Sequence, residues 1–338
     1  MLGWGVYLVY LALLTWGGFW LYGTIRWGLQ PARTNSDDVW EVFYPELYQS
    51  GVKVVSTDPD DRHVDVLMLG GSVLEQVGDE LKAQLQARLG QNVRVWNLAC
   101  SAHTSRDSLH KYRCLRDRKF DLVVVYHGIN DARMNCCSAE LFRDDYSHCQ
   151  WYRNIERQGK DKKLSPAAMA VDDIERLISL GEPDPDQLAF GKVLKTPRAF
   201  RKNFEEMVQI AQSASSPLML MTFAYHFPEG YTRARFEHRE LDYGPGTFSM
   251  PVETWGIPDN VVVALDAHNQ VIREIASVRP DLLFFEMQGE LPKTGSVFSD
   301  ICHLTPTGCR EFVTRMMPTL EPWLAKVKAT HVAELGPE

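Results

Sequence analysis

Short apolar runs alternate along most of the chain with segments whose apolar residues recur every three or four positions. The runs lie at 64–69, 93–98, 122–126, 218–224 and 282–286. Continuous apolar runs separated by amphipathic helices are typical of parallel strands that are buried on both faces of a sheet. The pattern therefore predicts an α/β fold with a doubly wound, flavodoxin-like sheet of five parallel strands.

The segments between these runs have the spacing of amphipathic helices. One extends from Val77 to Leu89 and is followed by Gly90, a residue that commonly ends a helix. Others are predicted at 200–211, at 261–275 and from 305 onward. His268 lies on the apolar stripe of the third helix, so we expect a half-buried histidine with satisfied hydrogen bonds and not a catalytic one.

The first 25 residues differ from the rest of the chain because no charged residue occurs between Leu2 and Ile25. A helix of this length extends about 36 Å, which exceeds the roughly 30 Å of a bilayer's hydrocarbon core. A cleaved signal peptide would need a basic start and a small-residue cleavage site, and neither is evident. The segment predicts an uncleaved transmembrane anchor at residues 1–28.

The anchor prediction sets the remaining domain boundaries. A polar juxtamembrane segment is expected at 29–62 and a single α/β domain at 63–330. Two stretches interrupt the alternation, at about 132–196 and about 228–258. Both follow a predicted strand and therefore leave the carboxyl edge of the sheet, where open α/β folds bind ligands. We expect these insertions to form walls or lids of a site.

Charge and cysteine content narrow the function classes. The formal net charge is −8, and no extended basic run is available to neutralise phosphates, so nucleic acid is not expected as a partner. Seven cysteines without paired CxxC spacing predict neither a zinc site nor a complete disulfide framework. Cys136 or Cys137 could pair with Cys149 in an oxidising compartment, or all could be thiols. No phosphate-loop motif occurs, and we expect no metal and no cofactor.

The first segment with a reactive side chain is Gly70-Gly71-Ser72. It follows the run at 64–69 and opens a predicted helix. The glycines permit a tight turn, and a serine there has its hydroxyl beside the N–H groups of a helix N-terminus. Taken alone, such a segment is more often an ordinary turn or helix cap. The serine is a candidate nucleophile only in combination with other segments.

Candidate oxyanion donors follow the next two predicted strands. The segment 97–102 follows the second run, and Asn130, within 128–131, follows the third. A backbone N–H near Ala102 and the Asn130 carboxamide could join the Ser72 N–H as the donors that a tetrahedral intermediate requires. The alternative for Asn130 is an ordinary turn asparagine.

Asp300 and His303 lie three residues apart, just before the last predicted helix. At this spacing the carboxylate can orient the imidazole, whose other nitrogen can accept the proton of a serine. Each segment alone is a weak signal. Their order along the chain predicts a serine hydrolase site at the carboxyl edge of the sheet.

In this order the four segments resemble the blocks of the SGNH/GDSL hydrolase family: a Gly-Asp-Ser-type serine, a glycine-bearing loop, Gly-x-Asn-Asp and Asp-x-x-His. The resemblance covers about 64–324 and implies the SGNH hydrolase fold. The implied catalytic residues are Ser72, Asp300 and His303. The implied oxyanion donors are Ser72, Ala102 and Asn130, and the implied supporting residues are Gly71, Gly128 and Asp131.

Two residues depart from the family pattern. Gly71 stands where many members have an aspartate that takes no part in the chemistry. Ala102 stands where the family usually has the oxyanion glycine. If the backbone at Ala102 requires a positive φ, the alanine is strained and the oxyanion hole is weakened.

The resemblance implies a serine esterase that removes acyl groups, such as acetyl, from a glycan or lipid through an acyl-enzyme on Ser72. Two alternatives stay open: an acyltransferase of a cell-envelope polysaccharide system, with a membrane acyltransferase as partner, and a non-catalytic SGNH-like domain that binds an acylated glycan. The resemblance also favours a single-pass protein whose domain is periplasmic or on the cell surface. Arg26 and Arg33, on the C-terminal side of the uncharged stretch, favour the cytoplasmic side instead.

Overall fold

The computed structural model describes residues 2–28, 40, 43–53, 63–90, 92–161 and 183–335. They fall into two compact units, Met1–Gln49 with Asp145–Gly181, and Ser50–Asp144 with Glu182–Glu338. Most of the predicted juxtamembrane segment and much of the first predicted insertion lie outside the described residues. The domain boundaries drawn from the sequence therefore stay predictions.

The larger unit contains a five-stranded, fully parallel sheet in the order β2-β1-β3-β4-β5. The strands are β1 Val64–Gly70, β2 Val93–Asn97, β3 Leu122–Tyr126, β4 Leu218–Met221 and β5 Leu283–Phe285. The predicted flavodoxin-like fold is confirmed. The fourth strand is shorter than its apolar run because Phe223 and Ala224 donate their N–H groups to the Asn269 and Tyr126 side chains instead of to a neighbouring strand.

Helices cover the sheet, and the predicted amphipathic ones are confirmed. In the larger unit they are Ser72–Gln76, Gly78–Leu89, Ser105–Cys114, Ile129–Arg133, Pro185–Leu188, Thr196–Ser213, Arg233–Glu237, Pro258–Ser277, Met287–Glu290 and Pro306–Leu335, with 3-10 turns at Ala189–Lys192 and Val252–Thr254. Gly90 ends its helix with a φ of 87°, in the region that favours glycine. Val77, where this helix was predicted to begin, separates it from the short helix that starts at Ser72.

The strand order explains where a site can form. The chain leaves β1 toward β2 on one side and later returns to β3 on the other, so the β1/β3 boundary is the switch point of the sheet. Gly70 lies opposite Tyr126 in the β1/β3 register. The two strands therefore end level, which brings Ser72 and the segment after β3 to the same edge.

His268 is fully buried, which corrects the half-buried position expected from the sequence. Its ring stacks on Phe200 and bonds to the Thr196 hydroxyl at 2.8 Å and to the Gly128 carbonyl oxygen at 3.2 Å. Burial lowers the pKa of His268 to about 3, and the same cause, reinforced by Lys111, lowers that of His127 to about 3. Both rings are packed as neutral groups.

The smaller unit contains the helices Leu2–Gly28, Glu46–Gln49 and Gln150–Asp161. Within the first, the 19 residues Trp4–Tyr22 are apolar enough and long enough to cross a membrane by length and composition, as a signal sequence near the N-terminus would also be. Most of their side chains are exposed. Elsewhere in this unit the rings of Phe43 and Trp151 meet edge to face, 5.4 Å apart.

The buried histidines predict a loss of stability in acid. Unfolding restores an ordinary histidine pKa, so below about pH 6.5 the unfolded chain binds more protons than the folded chain. The free energy of unfolding therefore decreases as the pH is lowered. We expect His268 and His127 each to cost about 2 kcal/mol between pH 6.5 and pH 5. Urea denaturation of the full chain in detergent measures this. His268→Gln should show about half of the wild-type pH dependence, and an unchanged dependence would contradict the assignment.

Candidate active site

Ser72, His303 and Asp300 form one hydrogen-bonded chain in the larger unit. Ser72 Oγ lies 2.7 Å from His303 Nε2, and His303 Nδ1 lies 2.6 Å from Asp300 Oδ2. All three residues are buried. The arrangement can pass the serine proton to the imidazole while the carboxylate fixes the orientation of the ring.

The Asp300 carboxylate accepts four hydrogen bonds. Oδ1 accepts the backbone N–H groups of Cys302 and His303, at 2.9 and 2.7 Å. Oδ2 accepts His303 Nδ1 and also the backbone N–H of Met250, at 2.9 Å. A buried carboxylate requires such donors, because their absence would leave its desolvation uncompensated. Met250 belongs to the second insertion, so a distant segment completes the environment of the acid.

A second set of bonds fixes the distance between serine and histidine. The loop that carries Asp300 and His303 is closed by an antiparallel bridge between Phe298 and Leu304. Gln76, in the short helix that begins at Ser72, donates to the Leu304 carbonyl at 3.2 Å and accepts the Leu304 N–H at 3.3 Å. This pair of bonds ties the helix that begins at Ser72 to the loop that carries His303, and no motif in the sequence indicates it.

Asn130 lies beside the turn that contains Ser72. A Cβ added to Gly71 would meet Asn130 Nδ2 at 3.0 Å and the His103 carbonyl oxygen at 3.2 Å. Asn130 Nδ2 itself donates to that carbonyl at 2.9 Å. Gly71 thus allows the carboxamide to pack against the turn, and an aspartate here would have to displace it.

Ala102 has a φ of 64° and is exposed. The structure therefore meets the condition for strain set out from the sequence, since an alanine in this region costs about 1 kcal/mol relative to glycine. The loop is fixed on both sides of Ala102: Cys100 donates its N–H to the Gly70 carbonyl, and Lys111 Nζ reaches the Leu98 carbonyl and His103 Nδ1.

Two of the predicted supporting residues act through packing and capping. A Cβ on Gly128 would lie 2.5 Å from a ring carbon of Phe223, so only glycine fits there. Asp131 is fully buried and accepts the backbone N–H and the hydroxyl of Ser105, at 2.9 and 2.6 Å. It thereby holds the start of the helix that follows the Ala102 loop.

The second insertion reaches the site, which its sequence did not reveal in detail. The ring of Phe248 lies 4.9 Å from that of His303, and the ring of Trp255 lies 5.9 Å from it. Trp255 Nε1 donates to Asn130 Oδ1 at 3.0 Å. The spacing of residues along the sequence could not identify Phe248 and Trp255, because their contacts with the site depend on the conformation of the loop.

The geometry favours neither Cys302 as a nucleophile nor a metal ion at Asp300, Cys302 and His303. All seven cysteines lie within the described residues, and none of them forms a disulfide. Cys302 is fully buried, and burial together with the Asp300 charge raises its pKa well above the ordinary value. Asp300, Cys302 and His303 offer metal-ligand atoms within 4.8 Å of one another, but the carboxylate and imidazole are already committed to the bonds described above.

Ala102→Gly should relieve the backbone strain in the loop. We expect the free energy of unfolding to rise by about 1 kcal/mol, because glycine adopts a positive φ without steric cost. Chemical denaturation of the wild type and the variant provides the measurement. Ser215→Gly, at another residue with positive φ but distant in sequence from the site, is the matched control. A destabilised Ala102→Gly variant would show that the loop is not strained.

No protein-family model matches the chain, and no curated protein matches it. Among solved structures, the chain is similar to a GDSL-like lipase from Bacteroides thetaiotaomicron, with 13% identity over 83% of this chain and 98% of that one, and a TM-score of 0.46. It is also similar to a lipase/acylhydrolase from Enterococcus faecalis, with 14% identity over 76% and 95% and a TM-score of 0.42. A third similar structure is a variant of an acetyl xylan esterase from Geobacillus stearothermophilus, with 14% identity over 76% of this chain and 94% of that one, and a TM-score of 0.42.

Proposed function

We propose that the chain is a serine esterase with Ser72 as nucleophile, His303 as general base and Asp300 as the partner that orients the base. The observation that carries the proposal is the Ser72–His303–Asp300 hydrogen-bond chain, with distances of 2.7 and 2.6 Å. The position of Asn130 Nδ2 beside the Gly71–Ser72 turn supports its role as an oxyanion donor. The intact chain favours catalysis over the non-catalytic binding alternative.

The reaction follows from this geometry. Ser72 Oγ attacks the ester carbonyl carbon while its proton passes to His303 Nε2. Asn130 Nδ2 and the backbone N–H groups of Ser72 and Ala102 stabilise the oxyanion. The tetrahedral intermediate then expels the alcohol, which takes the proton from His303 and leaves an acyl group on Ser72. Water, activated in the same way, releases the acid and restores the serine.

The substrate class and location are inferred from the apolar first helix. We propose an acylated glycan or lipid substrate, with acetyl as a candidate acyl group, presented at a membrane surface. The helix acts as an uncleaved anchor, and the Trp4–Tyr22 span supports this by length and composition. If a sugar hydroxyl replaced water in the second step, the same acyl-enzyme would perform transfer, with a membrane acyltransferase as a possible source of acyl groups.

Ser72→Ala should abolish labelling of the full chain by a fluorophosphonate probe, because the probe requires the nucleophilic oxygen. His303→Ala should reduce labelling strongly. Asp300→Asn should reduce it by a smaller and more variable amount, since an orienting partner is partly replaceable. Gel fluorescence of the purified protein gives the measurement. A thiol-blocking reagent is the control for the cysteines. Ester turnover that survives Ser72→Ala and disappears on thiol alkylation would overturn the serine mechanism.

We propose that the larger unit lies outside the cytoplasm. A reporter that is active only in the cytoplasm, fused after Glu338, should therefore give a background signal, because it would be translocated with the unit. A reporter active only outside the cytoplasm, fused at the same residue, is the matched control and should be active. A strong cytoplasmic signal would reverse the proposed orientation and would agree with the orientation that the positive-inside rule predicts from Arg26 and Arg33.

A further inference from the structure

The second insertion makes separate contacts with three residues of the proposed site, Asp300, His303 and Asn130. The Met250 N–H completes the coordination of the Asp300 carboxylate. The Phe248 and Trp255 rings lie beside the His303 imidazole, both tilted against it. The Trp255 indole also bonds to Asn130. Of the three residues that make these contacts, only Trp255 has a side chain that reaches both the base and the proposed oxyanion donor.

The Trp255 bond determines which way the Asn130 carboxamide faces. An indole Nε1–H is a donor only, so the atom that accepts it at 3.0 Å must be the amide oxygen. On the other side, the His103 carbonyl oxygen is an acceptor only, and it receives the amide nitrogen at 2.9 Å. Two neighbours of opposite character thus select the same orientation, with Nδ2 facing the Gly71–Ser72 turn.

Trp255 is itself firmly placed. It is 4% exposed, and its backbone N–H closes the 3-10 turn by bonding to the Val252 carbonyl at 2.9 Å. Val252 in turn donates its N–H to the hydroxyl of Tyr231. Gly256, which follows, has a φ of 145°, and a Cβ there would lie 3.3 Å from Cys136 Sγ. The backbone conformation after Trp255 therefore requires glycine.

We propose that Trp255 is a positioning residue that holds the Asn130 carboxamide with its N–H toward the oxyanion. This inference rests on the esterase proposed above. A flipped carboxamide would present its oxygen to the developing negative charge and would repel it. Electrostatic stabilisation of a transition state depends on donors that are already oriented before the reaction. Trp255 provides this orientation through its hydrogen bond to the Asn130 carboxamide oxygen.

The test is a double-mutant cycle on the full chain in detergent, with turnover of a short-chain nitrophenyl ester. Trp255→Phe keeps an aromatic ring beside His303 but removes the N–H. We expect it to lower kcat about tenfold with little change in KM, less than the hundredfold or more of Asn130→Ala, because the His103 carbonyl still opposes the flip. In the Asn130→Ala background the same change should have less than about a twofold effect, since the group it orients is gone.

Trp323→Phe is the matched control. Trp323 is also buried and donates its indole N–H in one bond, to the Asp121 carbonyl at 2.7 Å, but Asp121 precedes β3 and so lies at the opposite edge of the sheet. Its variant should lose stability and keep its kcat. Replacing Trp255 with benzothienylalanine removes the N–H while keeping the shape, and it serves if Trp255→Phe does not fold.

Three outcomes would overturn the proposal: an unchanged kcat in both Trp255 variants, a full loss in the Asn130→Ala background, or an equal loss of kcat in Trp323→Phe. The second outcome would mean that Trp255 acts through His303 or through general packing. Failure of the esterase proposal has a different signature, because the wild type would then show neither ester turnover nor fluorophosphonate labelling that depends on Ser72.

Discussion

The buried carboxylate of Asp300 is the constraint on which the carboxyl end of the sheet depends. A charge in this position is tolerated only if donors replace the water it has lost, and here four N–H groups do so. Three come from its own turn, and these fold the turn tightly enough to place the imidazole of His303. The fourth comes from Met250, so the second insertion must fold against the loop before the acid is fully satisfied.

The order of the strands determines where Ser72 and Asn130 lie. Because β1 and β3 are neighbours and end level, the turns that follow them face each other across the switch point. Gly71 permits this close approach at Asn130, and Gly128 lets the turn after β3 pack against Phe223, which follows β4. The serine and the carboxamide are therefore brought together by the sheet, whereas the histidine is brought to them by the last loop.

Buried polar networks behind these turns hold the backbone of the loop that contains Ala102. Asp131 binds the start of the helix Ser105–Cys114, and Asn203 adds a bond to the hydroxyl of Ser105. Such networks are rigid when every member is satisfied and costly when one is lost. They offer a physical reason why Ala102 can keep a positive φ in spite of its Cβ: the surrounding structure fixes the loop on both sides of it.

The sequence by itself determined the sheet, the amphipathic helices and the residues Ser72, Asn130, Asp300 and His303 as candidates, because these depend on local periodicity and on short motifs. It also raised the possibility of strain at Ala102. Only the tertiary structure decided that Trp255 orients Asn130. It also decided that the Met250 N–H binds the Asp300 carboxylate and that Gln76 ties the helix beginning at Ser72 to Leu304. The partners in these bonds are separated by 125, 50 and 228 positions and lie partly in loops without periodicity. Their contacts follow from the global packing of the chain, which no local pattern encodes.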